Sequence, residues 1–310
     1  MAGRPLPSWR EGAARSTILG WLDRATGPGP GHVPLVDRVA VFDNDGTLWT
    51  ERPTYTQALF IADRLRAAAA VDAGLAADPV LQALLTGGLG AAMAHGLDAL
   101  AGLVLKAQAG MTADAFLADA RSWFTTSRHP SGRPYPATVY QPMLELLDLL
   151  RSHDFRSFIV TGGGVEFVRA VSWPLYGIPP ADVIGTAVQL RLERHDGRAE
   201  LVREAAFDGP PNEGAPKAVN IHRHIGQRPV IAVGNSDGDR EMLEYVATGE
   251  PSGLCLLLEH DDPEREDVYG GRSVTTDPDA EPVGTVARRS GWTVISMRSD
   301  WAQVFPAAPA

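Results

Sequence analysis

The chain has 310 residues, with 28 basic and 38 acidic side chains and a formal net charge of −10. This acidic balance argues against a nucleic-acid binder, because binding to phosphate backbones needs a surface rich in Lys and Arg. Hydrophobic residues make up 44% of the chain, which is ordinary for a globular protein that buries a core. The single cysteine, Cys255, excludes an intrachain disulfide and a zinc site built from cysteines.

Targeting signals are not evident in the sequence. Residues 1–10 contain an early Arg but no apolar stretch of signal-peptide length. A run of about 18 apolar residues, the length that spans a membrane, does not occur either. We therefore expect a cytoplasmic protein that does not associate with membranes.

The first half of the chain predicts one strand and several helices. Residues 11–25 predict a short helix that ends at the Gly- and Pro-rich segment 27–31. The apolar run within residues 38–43 is typical of a strand buried on both faces of a parallel sheet. From about Thr56 to Arg128 the sequence is rich in Ala and Leu, with apolar residues three and four apart. This spacing predicts three or four helices and no strand.

Strands and helices alternate in the second half, after a Pro- and Gly-rich hinge at residues 128–136. The turn signal His195-Asp-Gly197 predicts a hairpin, and Pro174 predicts the end of a helix. The predicted strands cover residues 157–161, 182–185, 229–233, 254–258 and 292–297, and the predicted helices cover residues 144–150, 165–173 and 240–246.

This order of elements predicts the fold class and the domain organisation. Alternating strands and helices indicate an α/β fold with a doubly wound, mainly parallel sheet. The helical stretch interrupts that pattern, so it is predicted to form an all-helical insertion. We assign residues 1–55 and 131–310 to the α/β core and residues 56–130 to the insertion.

Polar motifs follow three of the predicted strands, where ligands bind in doubly wound sheets. Two carboxylates, Asp43 and Asp45, follow the first strand, and they raise each other's pKa unless a cation neutralises them. With a divalent metal, one serves as a nucleophile and the other as a proton shuttle. The segment Thr161–Gly164 places a hydroxyl and backbone amides at a helix start, which suits a phosphate. Lys217, before the third of these strands, adds positive charge.

Other ligand-binding motifs fit less well. A calcium loop that starts at Asp43 has Leu48 and Thr54 where glycine and glutamate are required. A phosphate-binding Walker loop fails because no Gly-Lys-Ser/Thr follows Gly162. A dinucleotide-binding loop requires a glycine at the position where this sequence has Phe167. It also requires an acid about twenty residues after its first glycine, and Asp182 lies twenty residues after Gly162. It stays open as an alternative.

Together the motifs resemble those of the haloacid dehalogenase superfamily. Asp43-Asn-Asp-Gly-Thr47 follows a buried strand, as the first motif of that family does. Thr161, Lys217 and the segment Gly234–Asp239 match the second, third and fourth motifs in order. The helical insertion is similar to the cap of phosphoserine-phosphatase-like members, and the resemblance runs from about residue 38 to 258.

The resemblance implies a set of residue roles. Asp43 would attack phosphorus and become phosphorylated, while Asp45 would protonate the leaving oxygen and then activate water. Lys217 would neutralise charge on the nucleophile and the phosphate. The groups expected to bind the phosphate are Thr161, Gly162, Gly163 and Lys217.

The resemblance also implies a Mg²⁺ site, at which the fourth motif departs from the family pattern. The metal would bind the Asp43 carboxylate, the Asp45 backbone carbonyl and the fourth motif. That motif usually begins Gly-Asp, whereas here Asn235 follows the glycine and removes one negative charge. We expect Asn235 to ligate directly, Asp239 to lie in or next to the metal's ligand set, and Asp237 to compensate for the missing charge. The alternative for Asp237 is that it caps the helix that follows.

The sequence therefore predicts a Mg²⁺-dependent phosphatase that hydrolyses a small-molecule phosphate monoester through an aspartyl-phosphate. Two alternatives remain: a phosphomutase or phosphotransferase, and a non-catalytic protein that binds phosphorylated ligands with a decayed metal site. The expected partner is a small phosphorylated metabolite. Serine, sugar and choline-type phosphates and natural-product intermediates all stay open as substrates, and so does the oligomeric state.

Overall fold

The computed structural model describes residues 4–250, 253–273, 277 and 279–307. The strands are β1 Val39–Phe42, β2 Arg156–Gly164, β3 Val183–Thr186, β4 Val188–His195, β5 Arg198–Phe207, β6 Ile231–Gly234, β7 Leu254–Asp261, β8 Val268–Tyr269 and β9 Thr293–Ser296. The helices are α1 Ala13–Thr26, α2 Thr56–Ala69, α3 Ala73–Ala76, α4 Pro79–Met93, α5 Leu97–Gln108, α6 Ala113–Thr126, α7 Gln141–Ser152, α8 Val165–Tyr176, α9 Ala215–Ile225, α10 Arg240–Ala247, α11 Val283–Ser290 and α12 Met297–Asp300. Across these described ranges, every helix is too short or too polar to cross a membrane.

The central sheet has the order β3-β2-β1-β6-β7, with β9 and β8 beside β7. All of its pairings are parallel except that of β8 with β7. The chain runs outward from β1 to β3 and then returns to the other side of β1 with β6. The predicted α/β fold with a mainly parallel sheet is confirmed.

Strand β1 shows why helices cover both faces of the sheet. Its side chains alternate, and all four are buried. Ala40 and Phe42 belong to the apolar cluster that contains α1, α7 and α8. Val39 and Val41 belong to the cluster that contains α9, α10 and α11. A strand with two buried faces requires apolar residues at every position, which is the pattern in the sequence.

The inserted segment of residues 56–130 contains five helices, α2 to α6, where three or four were predicted. It has a small apolar core of its own, which includes Leu65, Leu81 and Leu103. Aromatic rings join it to the rest of the molecule: the Phe60 ring lies 5.2 Å from that of Phe167 on α8. These contacts hold the cap helices against the edge of the sheet where the motifs lie.

The hairpin predicted at His195–Gly197 is present as β4 and β5, with positive φ angles at Asp196 and Gly197. It forms a separate two-stranded sheet and packs against α5 and α6 instead of extending the central sheet. The amide of Gly110, after α5, donates to the Arg203 carbonyl at 2.9 Å. Strands from the second half of the chain thus join the helical cap.

The prediction that α8 ends before Pro174 was wrong, because this helix continues to Tyr176. A proline inside a helix leaves the carbonyl four residues earlier without its usual donor. Here that carbonyl belongs to Ala170, and the Arg121 side chain on α6 donates to it at 3.2 Å. The cap helix therefore supplies the hydrogen bond that Pro174 removes.

Candidate functional site

The carboxyl ends of β1, β2 and β6 bring the predicted motifs together. These strands are neighbours in the sheet, so Asp43, Thr161 and Asn235 lie at one edge. The Asp43 amide donates to the Val233 carbonyl at 2.9 Å, which ties the end of β1 to β6. Asp43, Thr161 and Asn235 are all buried.

Lys217 lies at the centre of this edge and bridges two carboxylates. Its Nζ lies 2.6 Å from Asp43 Oδ1 and 2.6 Å from Asp239 Oδ1. The lysine is only 1% exposed, and Asp239 is fully buried. Lys217 thus contacts two carboxylates that lie 174 and 22 positions away from it in the sequence.

Burial and charge act in opposite directions on this triad. Burial raises the pKa of Asp43 well above its ordinary value, the charge of Asp239 raises it further, and Lys217 opposes the rise. Burial alone would lower the pKa of Lys217, but the charges of Asp239 and Asp43 raise it on balance. Lys217 therefore stays protonated and is the group that favours an ionised Asp43.

Asp45 follows Asp43 on the same loop and has a different environment. Burial raises the pKa of Asp45 to about 6, although a hydrogen bond from Trp49 opposes the rise. Trp49 Nε1 donates to Asp45 Oδ1 at 2.8 Å. A methyl group added at Gly163 would lie 3.6 Å from Asp45 Oδ2 and 3.2 Å from Thr161 Oγ1. Asp45 therefore borders the Thr161–Gly164 loop and has a pKa suited to proton transfer near neutral pH.

The turn after Asp45 requires a glycine. Gly46 has a φ of +74°, and an added Cβ would lie 2.1 Å from Asn235 Nδ2 and 2.8 Å from Glu51 Oε1. The Asn235 amide bridges this loop: Nδ2 donates to Glu51 Oε1 at 3.1 Å, and Oδ1 accepts from Thr47 Oγ1 at 3.2 Å. Asn235 thus lies beside both Gly46 and a further acid, Glu51.

The two acids of the fourth motif have different surroundings. Asp239 Oδ2 accepts from the amides of Asn235 and Ser236 at 3.0 Å each, so donors of this chain use both of its oxygens. Asp237 Oδ1 accepts from the Val283 amide at 2.6 Å, and Arg272 Nη1 lies 3.3 Å from its Oδ2. Asp237 therefore holds the start of α11, which does not support a compensating role in the metal site.

The phosphate-binding segment predicted after β2 is tightly held. The Gly163 amide donates to Thr161 Oγ1 at 2.9 Å, and the Gly164 amide donates to Gln57 Oε1 at 2.6 Å. Asn212 Nδ2 donates to the Thr161 carbonyl at 2.9 Å. These bonds place the amides at the N-terminus of α8, where an anion is favoured.

The donor set at this edge fits a hard cation such as Mg²⁺. Among the described residues, no group of three or more His, Cys, Asp or Glu side chains is arranged to hold a metal. However, Mg²⁺ often takes only one or two protein carboxylates and completes its shell with water and substrate phosphate. The Asp43 carboxylate, the Asp45 carbonyl and the Asn235 amide oxygen, which accepts from Thr47 Oγ1, are oxygen donors of this kind. Asp239 belongs to the hydrogen-bond network of Lys217.

Sequence reasoning missed three polar residues that line the same cavity: Glu51, Gln57 and Glu213. Burial and the charge of Asp45 raise the pKa of Glu51 to about 7. Glu213 Oε1 accepts from Ser273 Oγ at 2.8 Å, and burial raises its pKa while Lys217 opposes the rise. For Glu51 the available signal was its position, six residues after Asp45. For Gln57 and Glu213 there was no such signal in the sequence, because tertiary packing alone brings them to the cavity.

A buried network supports the loop from the side opposite the cavity. His260 Nε2 lies 2.8 Å from the Gly46 carbonyl, and its Nδ1 lies 3.0 Å from Glu266 Oε2. Glu266 Oε1 accepts from Tyr140 at 2.7 Å and from Thr50 at 2.8 Å. His260 thus supports the turn at Gly46.

The site opens into a cavity of about 360 Å³. Asp43, Asp45 and the glycines of the Thr161–Gly164 loop line one end. The cavity continues between the cap helices and α8, where most lining residues are apolar.

The model of the haloacid dehalogenase-like hydrolase family matches residues 40–244. No curated protein matches the chain. A solved structure of a conserved functionally unknown protein from Anaerococcus prevotii DSM 20548 is similar, with a TM-score of 0.54 at 14% identity over 84% of this chain and 88% of its own. A protein of unknown function from Bordetella pertussis Tohama I gives a TM-score of 0.49 at 16% identity, over 83% and 97%. A phosphoserine phosphohydrolase-like protein from Francisella tularensis subsp. tularensis SCHU S4 gives 0.40 at 16% identity, over 71% and 87%.

Proposed function

Because the chain belongs to the haloacid dehalogenase-like hydrolases, we propose that it is a Mg²⁺-dependent phosphatase of small phosphate monoesters, with Asp43 as the nucleophile. The observation that carries the proposal is the buried bridge of Lys217 to Asp43 and Asp239, at 2.6 Å each. A cation in this position keeps Asp43 ionised and offsets its repulsion from a phosphate dianion. A purely structural lysine would gain little from such burial.

Asp43 and Asp45 divide the chemistry between them. Asp43 attacks phosphorus and forms an aspartyl-phosphate as the bond to the leaving oxygen breaks. Asp45, whose pKa is about 6, gives its proton to that oxygen. It then takes a proton from the water that attacks the phosphorylated Asp43. A carboxyl group with this pKa exchanges protons efficiently near neutral pH.

The remaining predicted residues orient the phosphate. Thr161, Gly162 and Gly163 end strand β2 directly before α8, where the helix dipole favours an anion. The hydrogen bond between the Gly163 amide and Thr161 keeps this segment in place before substrate binds. Lys217 balances the charge of the incoming phosphate.

Asp43, the Asp45 carbonyl and Asn235 are the proposed Mg²⁺ ligands. When bound, the ion supplies charge neutralisation for the phosphoryl oxygens. Asn235 contributes an uncharged amide oxygen. The protein ligands therefore carry less negative charge around the ion than they would with an aspartate at position 235.

Hydrolysis of a generic aryl phosphate, with Mg²⁺ and with EDTA, tests the proposal. We expect phosphate release that depends on Mg²⁺ and is lost in Asp43→Asn. The matched control is Asp237→Asn, because Asp237 has the same side chain but contacts Val283 and Arg272. If the wild-type protein and Asp43→Asn are equally inert while the ester still binds, the protein is a binder of phosphorylated ligands instead. If added alcohols or sugars receive the phosphoryl group, it is a phosphotransferase.

A further inference from the structure

The cavity beyond Asp43 and Asp45 has a chemical character that points to a substrate class. Its far part is formed by α4 and α5. We infer that the alcohol half of the substrate is an apolar, hydrocarbon-like group that occupies this part of the cavity. The inference rests on the proposed phosphatase function, because the phosphate must lie at the Asp43 end.

Helix α5 presents apolar residues both to the cap's own core and to the cavity. Leu103 is buried in the cap's own core. The cavity wall includes the apolar residues Leu97, Leu100, Ala101, Val104 and Leu105, which recur at spacings of three and four. Leu100 also packs against the cap core. Most of these side chains stay partly exposed. A continuous apolar stripe left open inside a cavity favours an apolar occupant, because covering it removes that surface from water.

The described cavity wall offers no unpaired cation to a negatively charged alcohol group. Among the described lining residues, Arg203 is the only Arg or Lys. Its guanidinium contacts the Glu166 carboxylate and donates to Gln108 Oε1 at 2.9 Å. It also lies 3.9 Å from the centre of the Phe116 ring. Because Arg203 is paired in this way, the carboxylate of an amino-acid phosphate would lack a free cation here and would be buried at a cost.

The size of the cavity agrees with a longer alcohol. Small-molecule sites usually have volumes of about 300–1,000 Å³, and this one has about 360 Å³. A phosphate with a two-carbon alcohol fills only the polar end. Additional carbon atoms would extend along α5.

A series of n-alkyl phosphates, from ethyl through butyl and hexyl to octyl phosphate, tests the inference, with phosphoserine as a polar comparison. We expect kcat/KM to rise roughly fourfold for each methylene that enters the cavity, and phosphoserine to be a poorer substrate than butyl phosphate. Calorimetric binding of the same esters to Asp43→Asn should rank them in the same order, independently of turnover.

A variant that narrows the cavity tests where the alkyl chain of the substrate binds. Ala101→Phe fills space on the α5 face, so we expect the ratio of kcat/KM for octyl to ethyl phosphate to fall about fifteenfold, from the displacement of roughly two methylenes. The matched control is Ala99→Phe, because Ala99 is exposed on the same helix and does not line the cavity. It should keep the wild-type ratio.

Three results would overturn the inference while leaving the phosphatase proposal intact: a kcat/KM that does not change with chain length, a preference for phosphoserine, or an unchanged ratio in Ala101→Phe. Failure of the phosphatase proposal looks different, since the wild-type protein then releases no phosphate from any ester. In that case the binding series with Asp43→Asn still decides whether apolar esters are preferred.

Discussion

Replacement of Lys217 by methionine tests the central bridge of the site. Met has a similar length but no charge, so Asp43 and Asp239 would both remain buried without their cation. Removing one partner of a buried ion pair typically costs about 3–5 kcal/mol of unfolding free energy. Here a single Nζ holds two carboxylates at 2.6 Å, so we expect the upper part of that range.

The pH dependence of this cost has a defined sign. The pKa of Asp43 is already above the ordinary value of 3.8 because of burial and the charge of Asp239, and loss of Lys217 raises it further. Between the unfolded and folded pKa values the native protein then binds more protons than the unfolded chain. The free energy of unfolding of the variant therefore falls as pH rises through that window. We expect the deficit relative to wild type to be larger at pH 8 than at pH 5.

Urea unfolding followed by tryptophan fluorescence at several pH values measures both effects. Lys106→Met is the matched control, because Lys106 is an exposed lysine on α5, and it should change the unfolding free energy by less than about 0.5 kcal/mol. A Lys217→Met variant that loses less than about 1 kcal/mol, with no dependence on pH, would refute the reasoning.

The remaining predictions concern the loop around Gly46 and its support. Gly46→Ala should unfold at a lower temperature than Gly132→Ala, since both positions have positive φ but only Gly46 has atoms in the way of a Cβ; equal melting temperatures would contradict this. Glu266→Gln should cost about 1–3 kcal/mol at pH 7. Burial raises the pKa of Glu266, but its hydrogen bonds with His260 and others lower it on balance below 4.5, so the cost should shrink as pH falls through the folded pKa; an equal cost in acid would speak against it. Asn235→Asp should destabilise the protein in EDTA by about 1–3 kcal/mol, because a second carboxylate would face Glu51, and should lower the Mg²⁺ concentration needed for half-maximal activity; a variant as stable as wild type in EDTA would argue against the contact with Glu51.

The strand ends were predictable because the physics that places them is local. A four-residue apolar run followed by Asp43 indicates a buried strand whose carboxyl end carries the acid. Neighbouring parallel strands then bring Thr161 and Asn235 to the same edge. The turn at His195–Gly197 was also predictable, because it needs two residues with positive φ and Asp-Gly is a favoured pair for such turns.

Other features depend on how the elements pack together. The periodicity of α5 predicts a helix with apolar faces, but it does not distinguish the face in the cap core from the face that lines the cavity. The docking of the hairpin against α5 and α6 depends on contacts such as that of Arg203 with Gln108, 95 positions apart in sequence. Glu213 reaches the Thr161–Gly164 loop only because α9 begins beside it. Pairing across such distances has no signature in a single sequence.

Mass spectrometry of the peptide that contains Asp43, after rapid acid quenching of a reaction with an alkyl phosphate and Mg²⁺, tests the central claim most directly. We predict one phosphoryl group on Asp43 during turnover, and none on the same peptide from Asp43→Asn. Phosphate release at full rate from Asp43→Asn, or turnover by the wild-type protein with the phosphoryl group on another residue, would contradict the claim.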